Sequence, residues 1–328
     1  MKGVRVRNSG IELFRALLMF GICMCHSVGA GGYIWAPLRN VCMMCTVGFI
    51  FITGWFGIHF SLKRIVRLLG IALFALAVVI LMDWWFNGGV TKNPATRLIQ
   101  WWFLNAYLAL MIISPVLNSI VTCLESSDAK VQREAFFAVA LVVGTIWCVC
   151  WPMHCHWIPR VRFFLTLGCP CQFGCICAIY LAARVVRVCR LLDKIPPTVP
   201  ILGLIVSFAF AMYSYKFSYY NSPISFIFAV SSFYFFKKFK ISDPRLSKMV
   251  LLVAPSCFFI YLYHSHYDPG FAILAKLQGW MVDHGIWIPL AWFATAFIIF
   301  CVGLLLDAVR RMSIYRLSSL ISHPSSPQ

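Results

Sequence analysis

Charge is what this sequence has least of. Of its 328 residues only 12% are Asp, Glu, Lys or Arg, and just 10 are acidic. A soluble globular domain is about a quarter charged, so the scarcity excludes one. Long polar stretches are missing too. No loop is long enough to hold a domain, and no internal repeat or low-complexity tract stands out. Any function is therefore left to the apolar segments. The marks of a cleavable leader are lacking: the first apolar stretch contains Arg15 and has no small-residue cleavage site ahead of a soluble domain, so it is expected to stay as an anchor. A paired zinc motif is absent as well. "CMMC" at 42–45 is a lone CxxC, weak grounds for a metal site, and no metal is expected.

What is there is apolar: 61% of residues are hydrophobic. Runs of about 20 such residues, the length that crosses a bilayer, recur along nearly the whole chain. The fold class expected is an all-α polytopic membrane protein, a bundle of about ten transmembrane helices. The spans are read at 11–30, 38–60, 65–86, 101–122, 135–151, 162–183, 199–215, 219–236, 250–267 and 287–306. The sixth and ninth contain Pro170 and Pro255, tolerable where neighbours satisfy the freed carbonyl. Residues 1–315 read as one transmembrane domain and 316–328 as a short cytoplasmic tail.

The net charge of +18 does not point to nucleic acid, because the basic residues sit in short clusters between apolar spans, as in "LKRIVR", "ARVVRVCR" and "FKKFK". With the N-terminus inside, 20 of the 28 lysines and arginines fall on inner segments and 7 on outer ones. That split is the positive-inside pattern, and it places both termini in the cytoplasm. The 15 cysteines lie mostly inside apolar spans, where free cysteine behaves as a small buried hydrophobe. A disulfide on the outer face stays open.

Three residues break the apolar rule in the first span, "ELFRALLMFGICMCHS": Glu12, Arg15 and His26. An ionisable group at membrane depth is costly unless it meets a cavity or a partner. Arg15 and His26 are eleven positions apart, which on a helix puts them within about 20° of one face and about 16 Å apart along the axis. They are expected to line a polar path, Arg15 nearer the cytoplasm and His26 deeper. Two readings stand for each. Arg15 either snorkels to the inner headgroups, paired with Glu12, or meets an anion. His26 either makes an interhelical hydrogen bond or moves a proton as a general base. "KRIVR" adds Arg64 and Arg67, a pair one turn apart. Such a pair suits a phosphate or pyrophosphate, though ordinary positive-inside charge would also place it there.

These stretches resemble the membrane acyltransferase-3 family. Arg15 and His26 fit its Arg-x10-His signature, and "RIVR" resembles its Arg-x-x-Arg at the third helix. "VGFIFITGWF" is similar to its second-helix segment, with Gly54 in register. "WWFLNAYLALMIISPVL" is similar to its "WFL…L…PLL" helix. "FFIYLYHSHY" resembles its late "YLxH", which places His264 on the family's histidine. The matches run in order over most of the chain. The sequence departs at Thr53, where serine is usual, and at His266, a second histidine after His264.

The resemblance implies ten helices and transfer of an acyl group, usually acetyl from acetyl-CoA, to a glycan hydroxyl across the membrane. Arg64 and Arg67 would then hold the phosphates of acyl-CoA, with Arg15 nearer the pantetheine path. His26 would be base or acyl acceptor, and Glu12 would fix the Arg15 rotamer. His264 and Asp83 are the residues expected near the acceptor, a glycan or lipid-linked sugar. Trp101 and Tyr261 read as packing or interfacial aromatics, and His154 and His156 as outer-loop residues. The short loops suit a bacterial inner membrane. The competing class is a transporter or flippase using Arg15 and His26 as substrate and proton relay. Matched broken helices would mark that class, and the sequence shows none.

Overall fold

The computed structural model describes residues 7–27, 36–90, 92–128, 130–135, 137–139, 141, 142, 144, 170–219, 222–264 and 268–322. Among these the regular structure is all helical. The helices are α1 (Ser9–Ser27), α2 (Ala36–Met43), α3 (Cys45–Phe56), α4 (Leu62–Asn87), α5 (Pro94–Gln100), α6 (Trp102–Glu125), α7 (Pro170–Val188), α8 (Leu191–Lys194), α9 (Thr198–Tyr213), α10 (Pro223–Lys238), α11 (Pro244–Val253), α12 (Cys257–His264), α13 (Asp268–Asp283) and α14 (Ile288–Ser322). Helix is the form in which an apolar run satisfies its own backbone away from water. Among the described residues six stretches are long and apolar enough to cross a bilayer: Ser9–Ser27, Pro37–Phe56, Leu62–Asn87, Trp102–Glu125, Pro244–His264 and Ile288–Tyr315. Thr198–Tyr213 is a shorter apolar helix. Most of the expected fifth span, the start of the sixth, His154, His156 and His266 lie outside the described residues.

Three helices start with one device, a polar cap followed by proline at the first helical position. Asn93, Ser222 and Asp243 each accept a hydrogen bond from the backbone N–H two residues on, ahead of Pro94, Pro223 and Pro244. Proline loses nothing there, since that N–H has no helical partner anyway. Pro170 is the first described residue of α7. Pro115 does lie inside α6. It leaves the Met111 carbonyl without its usual N–H, and the Ser114 hydroxyl donates to that oxygen at 2.7 Å.

Two of the membrane-crossing stretches are broken, which the sequence did not disclose. Residues 37–56 turn at Met44, between α2 and α3, and residues 244–264 pass through a 3-10 turn at Ala254–Ser256 around Pro255. Two stretches read as loop form helices α5 and α13, and α14 continues to Ser322, into the stretch read as a tail.

Helix α1 is the hub, packing against α2, α3, α10, α11, α12 and α14. Glycines set how closely its neighbours approach. A Cβ on Gly10 would lie 2.2 Å from the Phe239 carbonyl oxygen, so the start of α1 meets the end of α10 directly. A Cβ on Gly54 would lie 2.6 Å from the Tyr180 carbonyl oxygen, where α3 crosses α7. Phe14 stacks on Phe236 at 4.8 Å, and Phe51, Trp55 and Phe233 cluster between α3 and α10. The outer faces of α4 and α9 expose Leu62, Leu73, Leu81, Leu202 and Ile205, which suits contact with lipid.

Alternating helix direction collects the starts of α1 and α4 with the ends of α3, α7 and α10 at one end of the bundle, termed the near end. Contacts fix this arrangement. Arg187 of α7 donates to the Trp55 carbonyl of α3 at 2.7 Å, and Asn8 donates to the Lys237 carbonyl at 3.2 Å. Asn118 and Tyr180 hold Ile58, in the link from α3 to α4, by its carbonyl and its N–H.

Candidate active site

A cavity of about 320 Å³ opens among α1, α3, α4, α6 and the broken stretch from α11 to α12. Its α1 wall is Arg15, Met19 and Ile22. These positions are spaced by four and three, so they form one stripe, and His26 continues it four residues further. Thr46, Thr53, Tyr107 and Tyr261 are the hydroxyl-bearing residues of a lining that is otherwise mainly apolar, and Phe103 is among its rings. Ala254 and Pro255, in the 3-10 turn, form another part of the wall. The break in that stretch therefore helps make the room.

Arg15 is the cation of the cavity. Its Nη1 donates to Glu12 Oε2 at 2.7 Å, one turn back on the same helix. Glu12 is nearly covered, with a side chain 9% exposed, while that of Arg15 is 28% exposed. The carboxylate thus anchors the guanidinium from the protected side and leaves part of it open. The Tyr107 hydroxyl lies within electrostatic reach of both Arg15 and Arg64.

Arg64 and Arg67 lie in the first turns of α4 at the near end, both exposed. Leu68, one turn beyond Arg64, lines the cavity. A guanidinium pair thus sits at the head of a helix whose next turn faces the chamber.

His26 and His264, 238 positions apart in sequence, meet directly. His26 Nδ1 lies 3.0 Å from His264 Nε2, and the ring centroids are 4.9 Å apart. His264 is fully buried, and its Nδ1 faces the Ile260 carbonyl oxygen. Asp83 does not join this site. It is fully buried at the other end of α4, where Arg97 donates to one carboxylate oxygen at 2.9 Å and Asn87 to the other at 2.7 Å. Both of its oxygens are engaged within the fold, and it is not on the cavity lining.

The site holds residues the sequence did not single out for function. Tyr107 and Phe103 lie within the quoted "WWFLNAYLALMIISPVL", and Tyr261, read as packing, stands on the cavity wall. The available signal was the stripe itself: once Arg15 and His26 share a face, Met19 and Ile22 follow from the spacing. Ten cysteines, Cys257 on the cavity wall among them, are free thiols.

Fold and site together define a multi-pass helical membrane protein with an arginine-bearing cavity and a histidine pair of which His264 is fully buried. The acyltransferase domain family model, acyltransferase-3, matches residues 8–308, and the chain belongs to that family. It is a membrane acyltransferase in general class. No curated protein and no solved structure matches.

Proposed function

We propose that the chain moves an acyl group, acetyl in the simplest case, from cytoplasmic acyl-CoA to a hydroxyl of a cell-envelope glycan or lipid-linked sugar. The observation that carries this reading is the α1 stripe: Arg15 on the cavity wall and His26 about three turns further along, in contact with His264. In this reading the near end is cytoplasmic, with both termini there, about ten crossings, and a bacterial inner membrane as the location. The lysines and arginines at the near ends of α4, α7, α10 and α14 support that orientation.

The residues present fit an acyl-CoA donor. Arg64 and Arg67 suit its phosphates, since guanidinium groups bind phosphate oxygens in pairs. The mainly apolar chamber with one guanidinium suits an amphipathic arm. When bound, acyl-CoA supplies an activated thioester. Arg15 then offers positive charge to oxygen that becomes negative as the acyl carbon turns tetrahedral. His26 takes the proton of the incoming hydroxyl, or itself accepts the acyl group and passes it on. Glu12 keeps Arg15 in place.

The experiment is transfer of radiolabel from acetyl-CoA into extractable glycan in inverted membrane vesicles. Label is expected with the unaltered chain and not with His26→Ala. Transfer that is unchanged in His26→Ala contradicts the assignment of His26.

One observation favours a second reading. The breaks at Met44 and at Ala254–Ser256 are of the kind transporters use to build midplane sites. Proton-coupled uptake of an envelope precursor without any CoA requirement would support that reading over the enzyme.

A further inference from the structure

The His26–His264 contact fixes which nitrogen of His26 reacts. A backbone carbonyl only accepts hydrogen bonds. His264 Nδ1, which faces the Ile260 carbonyl oxygen one turn back, is therefore its protonated nitrogen. In a neutral imidazole the other nitrogen, Nε2, then carries the lone pair. That lone pair faces His26 Nδ1 at 3.0 Å. Two lone pairs do not face each other at hydrogen-bond distance, so His26 holds its own proton on Nδ1, and its Nε2 has the lone pair. The alternative needs His264 as an imidazolium. His264 is fully buried, with the Tyr261 and Tyr263 rings beside it at centroid distances of 6.4 and 6.1 Å, and taking a charged ring out of water into such surroundings is costly.

The turn that bears His264 is also held in place. Tyr263 donates its hydroxyl to the Ile299 carbonyl of α14. A Cβ on Gly303 of α14 would lie 2.6 Å from Tyr263 Cε1 and 2.8 Å from Ile260 Cγ1. This close approach leaves the Ile260–His264 turn little room to shift, so the acceptor presented to His26 stays in register.

We propose that His264 is a positioning residue, holding His26 in the Nδ1–H tautomer so that Nε2 is the reacting atom. The proposal rests on the acyltransferase reading above. In the base-catalysed route, His26 Nε2 takes the hydroxyl proton as the oxygen bonds to the acyl carbon. The resulting imidazolium keeps its Nδ1–H on His264 Nε2. As the carbon–sulfur bond breaks, the Nε2 proton passes to the leaving sulfur, giving an ester and a thiol. His264 gains no net proton. In the covalent route the same Nε2 attacks the acyl carbon, so the assignment of the atom holds for both.

The test has two arms. Solid-state NMR of the ¹⁵N-histidine-labelled full chain in lipid, with the His26 signals identified by their loss in His26→Gln, reads the tautomer without turnover. His26 is expected with Nδ1 protonated and Nε2 bare. A protonated Nε2 and bare Nδ1 overturns the proposal whether or not acyl transfer has been established. In the kinetic arm, His264→Leu removes the acceptor, and kcat is expected to fall about 100-fold, with KM for acyl-CoA within about twofold. His264→Gln restores an acceptor through its carboxamide oxygen and is expected to recover most of kcat. A His264→Leu protein with normal kcat, or a Gln variant no better than Leu, contradicts the positioning role. If His264→Leu fails to fold, the NMR arm on the unaltered chain still decides.

Discussion

Of the acid–arginine pairs in this protein, two differ most in what surrounds them. Asp83 and Arg97, on α4 and α5, are both fully buried, with the carboxylate engaged on both oxygens. Glu12 and Arg15 lie one turn apart on α1, with the carboxylate covered and the guanidinium partly open to the cavity. The closed pair is shut away inside the fold and joins two helices. The open pair keeps donors in reserve. An ion pair at membrane depth therefore does not mark a site by itself, since buried pairs also serve structure. The mark is an ion pair that opens onto a chamber and continues, along one helical stripe, to a titratable residue.

The predictions sharpen this contrast, from the largest expected effect to the smallest. His26→Ala is expected to lower acyl transfer about 1,000-fold while the protein still accumulates in the membrane. Labelled transfer normalised to protein level measures it. Asp83→Ala acts on the other pair. It leaves the Arg97 guanidinium buried beside a missing partner, and a loss of about 3–5 kcal/mol of stability is expected, read by thermal melting in detergent. Replacing both partners by apolar residues, Asp83→Leu with Arg97→Met, is expected to recover most of that loss.

Gly54→Ala is expected to cost about 1–3 kcal/mol, because the added methyl meets backbone of α7 that cannot swing aside. Arg64→Ala and Arg67→Ala are each expected to raise KM for acyl-CoA about tenfold and to leave kcat within a fewfold, the loss of one charged hydrogen bond to phosphate. The smallest effect belongs to the near-end surface pair, Lys237 with Asp193 at 2.7 Å. The lysine hydrogen bond holds the Asp193 carboxyl below its usual range. A lowered carboxylate stabilises the folded state above its unfolded pKa, and that contribution disappears as pH falls through the folded value. Because the pair is exposed, Lys237→Ala is expected to cost less than about 1 kcal/mol at neutral pH and nothing in strong acid, seen as a small melting shift confined to the neutral buffer.

The local part of this site could be read from the sequence, and the part made by tertiary contact could not. Arg15 and His26 share a helix, so their spacing alone placed them on one face. The same holds for Glu12 and Arg15, one turn apart. Asp83 read as an acceptor contact because its partner, Arg97, lies in a stretch with no apolar periodicity, and only the folding back of α5 brings them together. The meeting of His26 with His264 depends on α12 packing against α1, which no spacing discloses. Hydropathy located the membrane stretches because length and apolarity are local properties. It missed the breaks at Met44 and Pro255, since an apolar run reads the same whether straight or bent. It also ended the last helix at 306, where charge begins, although Asp307 bonds Arg310 and Arg311 and keeps the helix going.

The most direct measurement of the central claim compares the two ion pairs in one assay. Acetyl transfer per folded molecule is measured in vesicles for Arg15→Ala and for the Asp83→Leu, Arg97→Met double variant. If the open pair serves chemistry and the closed one serves structure, Arg15→Ala loses transfer about 100-fold or more and the double variant retains it. An Arg15→Ala protein that transfers at the normal rate would contradict the account.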